Sequence, residues 1–222
     1  MPRAKLRTAE LRDRVLEVAV ATLVDEGVSG FTTRKVAQGA ATSLPAVYEL
    51  FGDKAGLVRA VHAEGFRALR RRLDGVDATD DPRCDLVATV DALRVFVRAN
   101  PALAEVMFSR PFADLDPTPE HVEAGAAVRE LVVARVRRCV DGGVLQGDPT
   151  DVAHVLLALA QGLAAQEAAG WLGRSAASRN RRWRVAVEAV LTGLAPAEGP
   201  DRAPRAPRSA RRSPAGGRTA TR

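Results

Sequence analysis

Apolar residues recur at three- and four-residue spacing along most of this chain, and the stretches between them carry helix-stopping residues. From Thr8 to Glu26, Leu11, Val15, Val18, Ala19, Thr22 and Leu23 fall on one helical stripe, and Gly27 stands where the helix should end. Two short patterns follow. Thr32 caps the first, with Val36, Ala37 and Ala40 inward; the chain turns through Ala41 and Thr42; Ser43 caps the second. Pro45 is tolerated in that second helix because first-turn N–H groups have no intrahelical partner. Val47, Leu50 and Phe51 share one face and can lock onto the preceding helix, which leaves Leu44, Pro45, Ala46, Tyr48 and Glu49 pointing outward. A fourth helix is capped by Asp53, runs to about Asp74, and buries Leu57, Val61 and Leu69.

After a linker-like Gly75 to Pro82, Leu86, Val90, Leu93 and Val97 make 84–99 amphipathic. Asn100-Pro101 reads as a cap followed by proline and opens a short helix to about Ser109; Arg110 to Pro117 reads as a loop. Thr118-Pro119-Glu120 opens a long helix that Gly142-Gly143 stops, Asp148-Pro149 opens one to about Ala169, and 178–194 is the last. No segment alternates as a strand would, and no internal repeat is found, so the expected fold is all-α. The expected organisation is a three-helix DNA-binding domain over 1–52, a connecting helix over 53–75, a larger helical domain over 76–195 and a basic tail over 196–222. That tail of Pro, Arg, Ala, Ser and Gly has too little apolar surface to offset ordering entropy.

The paired short helices of 32–51 form a helix-turn-helix, whose outward second helix suits a major groove. Charge agrees with this placement. The net charge of +6 is divided unevenly: residues 1–75 carry 13 Lys/Arg against 9 Asp/Glu, 76–195 carry 13 against 16, and the tail carries 7 against 2. A basic head suits phosphate contact, and an acidic body has no reason to lie on DNA. Cys84 and Cys139 lie far apart with no clustered histidines, and His121 and His154 have no companions, so neither a disulfide framework nor a metal site is expected. Glu17 and Asp25 interrupt the only candidate signal segment, and the longest apolar run, Val155 to Ala160, is too short for a bilayer. A cytoplasmic protein without membrane contact or cofactor is expected.

Three spaced submotifs then resemble the TetR family of bacterial regulators: Thr32-Thr33-Arg34-Lys35-Val36-Ala37-Gln38, Ser43-Leu44-Pro45-Ala46-Val47-Tyr48-Glu49-Leu50-Phe51, and Asp53-Lys54 with Leu57. Ala41 stands where the family usually has Gly, and Gly56 where it usually has Glu. The resemblance implies a DNA site that includes Ser43, with Thr33, Tyr48 and Lys54 on phosphates, Leu44, Pro45, Ala46 and Glu49 facing bases, and Arg34 reaching either. Among the base-facing residues only Glu49 has a polar group for a base edge. Arg3, Lys5 and Arg7 would form an N-terminal arm on the backbone or minor groove. The resemblance also implies a homodimer built from the last two helices of each chain. Leu159, Gly162 and Ala165 with Trp183, Val187, Val190 and Leu191 suit that interface, and an ordinary intrachain core is the competing reading of the same stripes.

Asn100-Pro101-Ala102-Leu103, Met107-Phe108, Gly147-Asp148-Pro149 and Ala160-Gln161-Gly162-Leu163 also resemble a C-terminal subgroup named for a tryptophan and a His-Gly pair, although Leu157 and Gln161 replace the Trp and His. An effector cavity in this body would be lined by Phe96, Leu103, Met107, Phe108, Phe112, Leu157, Gln161 and Trp171, each also suited to plain core. The function expected from the whole is a ligand-responsive repressor, binding a palindromic double-stranded DNA operator as a homodimer and released by a small-molecule effector. An effector-independent activator or architectural DNA-binding protein is the alternative. An enzyme has little support, because no carboxylate pair, Cys-His pair, serine elbow or phosphate-cradling loop stands in a suitable context.

Overall fold

The computed structural model describes residues 2–109 and 119–196, with the backbone alone for 2–7 and for 120–121. The described residues form nine helices: α1 (Pro2–Gly30), α2 (Thr33–Gly39), α3 (Leu44–Phe51), α4 (Lys54–Asp74), α5 (Pro82–Ala99), α6 (Pro101–Ser109), α7 (Pro119–Asp141), α8 (Pro149–Ala168) and α9 (Ala176–Gly193). The fold is all-α, as the spacing predicts. The expected loop over 110–117, the tail beyond Pro196 and Phe112 lie outside the described residues.

Local sequence explains most of the boundaries. Gly27 interrupts α1 with φ 69° and ψ −177°, a conformation that costs a residue without Cβ little. Thr32, Ser43 and Asp53 cap α2, α3 and α4, each accepting from the N–H three residues on, at 3.3, 3.2 and 2.6 Å. Two expectations change. Residues 3–7 are helical backbone continuous with α1 rather than a separate arm. Asn100 does not serve α6 with its side chain; its Nδ2 donates to the Phe96 carbonyl at 2.9 Å and so closes α5.

In the head α2 and α3 pack on each other and on α1, around Val15, Ala19, Leu23, Val36, Ala40 and Val47. In the body α4, α5 and α7 pack on one another and α8 packs on α5 and α7 around Leu69, Leu73, Leu86, Val136 and Leu156, with α9 on α8. Burial of each such Leu is worth roughly 1.5–3 kcal/mol. Two helices serve both halves, since α4 runs from the head into the body core and α1 packs on α6. Gly65 permits α6 to approach α4, because a Cβ there would lie 2.7 Å from the Met107 sulfur.

The stretch between α4 and α5 reads as a linker in sequence but is pinned in the structure. Buried Asp85 accepts from the Thr79 hydroxyl at 2.7 Å and from Arg138 at 2.7 Å, and Arg138 and Arg135 also donate to the Thr79 and Val76 carbonyls. The Thr79 hydroxyl bond holds the Asp85 carboxyl below its usual range against burial, which pushes it up, and Arg138 adds to the lowering.

Candidate functional site

The outward face of α3 is laid out as its spacing predicts. Val47 is fully buried, Leu50 and Phe51 are half-buried, and Pro45, Tyr48 and Glu49 are exposed, with Leu44 and Ala46 half-exposed beside them. Arg34 and Lys54 are exposed on the flanking helices. Thr33 departs from expectation. At 6% exposure it is largely buried, because it sits on the face of α2 that carries Val36 and Ala37.

Ties from α1 hold this face in place. Arg14 donates to the Ala40 carbonyl at 3.3 Å at the end of α2, the Arg12 guanidinium lies 5.1 Å from the centre of the Phe51 ring, and Lys35 pairs with Glu26. Nothing in local sequence announces these contacts. The two departures from the family pattern also have visible geometry. Ala41 adopts φ 51°, a left-handed conformation that costs a residue with Cβ roughly 1–2 kcal/mol. At Gly56 a Cβ would sit 1.8 Å from the Phe51 carbonyl oxygen, so glycine lets the end of α3 lie against the start of α4.

The body contains a cavity of about 430 Å³ between α4, α5, α6, α7 and α8. Met107, Phe108, Leu157 and Gln161 line it, as expected from sequence. Phe96 and Leu103 do not: both are buried in the core, and Leu103 packs where α6 meets Gly65 of α4. Trp171 is 79% exposed at the turn after α8 and is not among the described residues lining this cavity. Sequence reading missed His62, Phe66 and Leu69 of α4 and Val128 and Arg129 of α7. The spacing of His62, Phe66 and Leu69 puts them on one helix face, but nothing local marks that face as a cavity wall.

Two family models match the chain: bacterial regulatory proteins of the tetR family over residues 15–61, and the tetracyclin repressor-like C-terminal domain over 86–190. The chain belongs to the TetR family. Its fold matches a protein of unknown function from Rhodococcus sp. RHA1 at 28% identity and TM-score 0.72, covering 83% of this chain and 95% of that one. A tetR-family regulatory protein from Rhodococcus RHA1 matches at 20% identity and TM-score 0.60, over 83% and 97% of the two chains. The TetR-family regulator PfmR from Thermus thermophilus matches at 20% and 0.60, over 82% and 98%. Among curated proteins none matches. This TetR-family chain is thus a DNA-binding regulator by family, and none of its described helices is long and apolar enough to cross a membrane.

The last two helices of this TetR-family protein require a correction. The expectation places Trp183, Val187 and Leu191 against a partner chain, yet they are 3%, 3% and 1% exposed within a single subunit. Their stripe is held inward by polar contacts with α5: the Trp183 indole donates to Asp91 at 2.7 Å, and the Arg94 guanidinium lies 4.8 Å from the Trp183 ring centre. Leu159 and Val190 are half-buried against the core, whereas Gly162 and Ala165 are exposed. The small and apolar surface left open includes Val155, Ala158, Gly162 and Ala165 on α8, Ala169 just after it, and Val185 and Ala189 on α9.

Beside it, the Glu167 carboxylate accepts from Arg94 at 2.8 and 3.1 Å and lies near Arg98 and Arg179 at 3.4 and 3.3 Å. Burial pushes the Glu167 carboxyl up, but Arg94 first, then Arg98 and Arg179, outweigh burial and hold it below its ordinary value.

Proposed function

We propose that the protein is a ligand-responsive repressor that binds a palindromic operator as a homodimer and is released by an effector in the body cavity. The observation that carries this reading is the double duty of α4. Its first residue is Lys54, beside the recognition helix, and two turns on it supplies His62, Phe66 and Leu69 to the cavity wall. A ligand that favours one position of α4 therefore favours one position of the head, and differential affinity for two conformers is all that such coupling needs.

In this reading Tyr48 and Lys54 hold phosphates, with Arg34 at a phosphate or a base edge. Leu44, Pro45, Ala46 and Glu49 face bases behind the Ser43 cap. The two recognition helices of the dimer would enter major grooves roughly 34–36 Å apart. The dimer face is the open surface of α8 and α9. Gly162 supports this choice, because a Cβ there would meet nothing within 4 Å of its own subunit, whereas a closely approaching partner helix would need the space.

Selection of bound fragments from genomic DNA by the purified protein should enrich an inverted repeat, and sedimentation should give a dimer that Val185→Glu converts to a folded monomer. Enriched sequences with no two-fold symmetry, or a dimer unaffected by Val185→Glu, would count against the proposed assembly. Fragments released by no ligand that binds the cavity would favour the effector-independent alternative.

A further inference from the structure

The body of this protein is acidic in sequence, with 13 Lys/Arg against 16 Asp/Glu over residues 76–195, but its cavity is lined in the opposite sense. The polar residues around the cavity are His62, Arg129, His154 and Gln161, and no carboxylate is among the described lining residues. The His154 ring is oriented by its Nδ1–H, which donates to the Thr150 carbonyl at 2.8 Å, so Nε2 is the nitrogen left for a ligand. The rest of the wall is apolar. Phe66 and Phe108 meet edge to face with centroids 5.7 Å apart, and Met107, Leu93 and Leu157 complete it. Gly125 of α7 also borders the space, where a Cβ would lie 3.9 Å from the Phe66 ring.

Together with the reading of this cavity as the effector site, on which the inference rests, this lining specifies a ligand class. We propose that the effector is a compact aromatic carboxylic acid, its ring seated in the Phe66–Phe108 corner and its carboxylate held by Arg129. A guanidinium engages a carboxylate with two parallel N–H donors, and Arg129 stands at the exposed rim of the cavity. A cationic ligand would meet like charge at Arg129, with only neutral acceptors, the Gln161 carbonyl and the imidazole nitrogens, among the described lining residues. The volume of about 430 Å³ lies toward the small end of small-molecule sites, which run from ~300 to ~1,000 Å³, so a one- or two-ring acid fits better than a long acyl chain or a nucleotide conjugate.

The test compares three probes that share one ring system, 2-naphthoate, 2-naphthamide and 2-naphthylmethylamine, titrated calorimetrically into the full-length protein. The acid should bind roughly ten-fold or more tightly than the amide, the scale of a charge-assisted bond. The amine should bind weakest. Arg129→Gln, on an exposed side chain, should bring the acid down to the amide while leaving the amide unchanged. Gly125→Leu should fill the space and abolish binding of all three, with circular dichroism melts checking that both variants fold. An amide or amine that binds as well as the acid, with Gly125→Leu still abolishing binding, would overturn the acid class while leaving the cavity as a ligand site. Acid binding that survives Gly125→Leu would place the ligand elsewhere and overturn both the acid inference and the cavity reading. No binding by any probe would overturn the acid class alone, and operator release by other ligands in wild type against Gly125→Leu would then judge the cavity.

Discussion

The head and the body are built from the same element, yet they are held together in different ways. In the head the helices α2 and α3, and α4 after them, start at a side chain that accepts from an N–H three residues away, and small apolar residues such as Val36, Ala40 and Val47 fill the space between. In the body the helices are joined by carboxylates surrounded by arginines from distant segments: Glu167 with Arg94, Arg98 and Arg179, and Asp85 with Arg138 and Arg135. Caps also start α5, α8 and α9, and Arg14 and Arg12 of α1 tie the head together over long range, so what sets the body apart is that its long-range ties converge on shared buried carboxylates. Long-range ion clusters make the relative placement of the body helices depend on charges that must stay paired.

The sharpest way to break this contrast is to remove a centre of the body's charge network. Glu167→Ala strands the largely buried Arg94 without its carboxylate and should cost about 3–5 kcal/mol of unfolding free energy, measured by urea titration. The same contact predicts a pH dependence. Because the folded Glu167 carboxyl lies below its ordinary value, its contribution is complete above the unfolded pKa of ~4.3 and fades as the pH falls through the lower folded value. Wild-type stability should therefore drop more steeply than that of Glu167→Gln on acidification below about pH 4. Parallel curves would show that Glu167 adds nothing.

In the head the expected effects are smaller and fall on binding rather than folding. Tyr48→Ala should weaken operator binding by about 1–2 kcal/mol in a mobility-shift titration, with the melting temperature nearly unchanged because Tyr48 is exposed. Unchanged affinity would mean that the recognition surface lies elsewhere. Ala41→Gly should sharpen the picture of a locally determined head by relieving the left-handed conformation at φ 51°, raising stability by about 1 kcal/mol in thermal melts. A loss of stability would show that the turn is held by something other than backbone preference. The smallest change is expected from Lys54→Ala. Affinity should fall about evenly across operator variants, and the slope of log K against log salt should become shallower by about 0.9 per lost phosphate contact, or about 1.8 for a symmetric dimer.

What the sequence makes legible follows the same division. The caps at Thr32, Ser43 and Asp53, the turn through Ala41 and the outward face of α3 all depend on neighbours within about one helical turn, and the structure shows each as the spacing predicts. Trp183, Val187 and Leu191 show where reading by spacing stops. The spacing marks them as an apolar stripe, but only the contacts of Trp183 with Asp91 and Arg94 decide that the stripe faces its own subunit. The cavity fails in the same way. Met107, Phe108, Leu157 and Gln161 are found in sequence, whereas His62, Phe66 and Arg129 become wall residues only because five helices converge. Thr33 is the one expected DNA-site residue that the structure largely buries, because a residue one position after a cap lands on the inward face of a seven-residue helix.

The close approach at Gly56 sets a rule for anyone who would exchange modules between relatives. A chimaera that joins this recognition helix to the connecting helix of another regulator with Glu at that position would push a side chain into the Phe51 carbonyl, 1.8 Å from where its Cβ must lie. The transplanted head would then present its DNA-reading surface at an altered angle even though every groove-facing residue had been copied. The portable unit therefore ends after Gly56, inside the first turn of α4, and a fusion made before it would swap specificity on paper while misaligning the two half-sites.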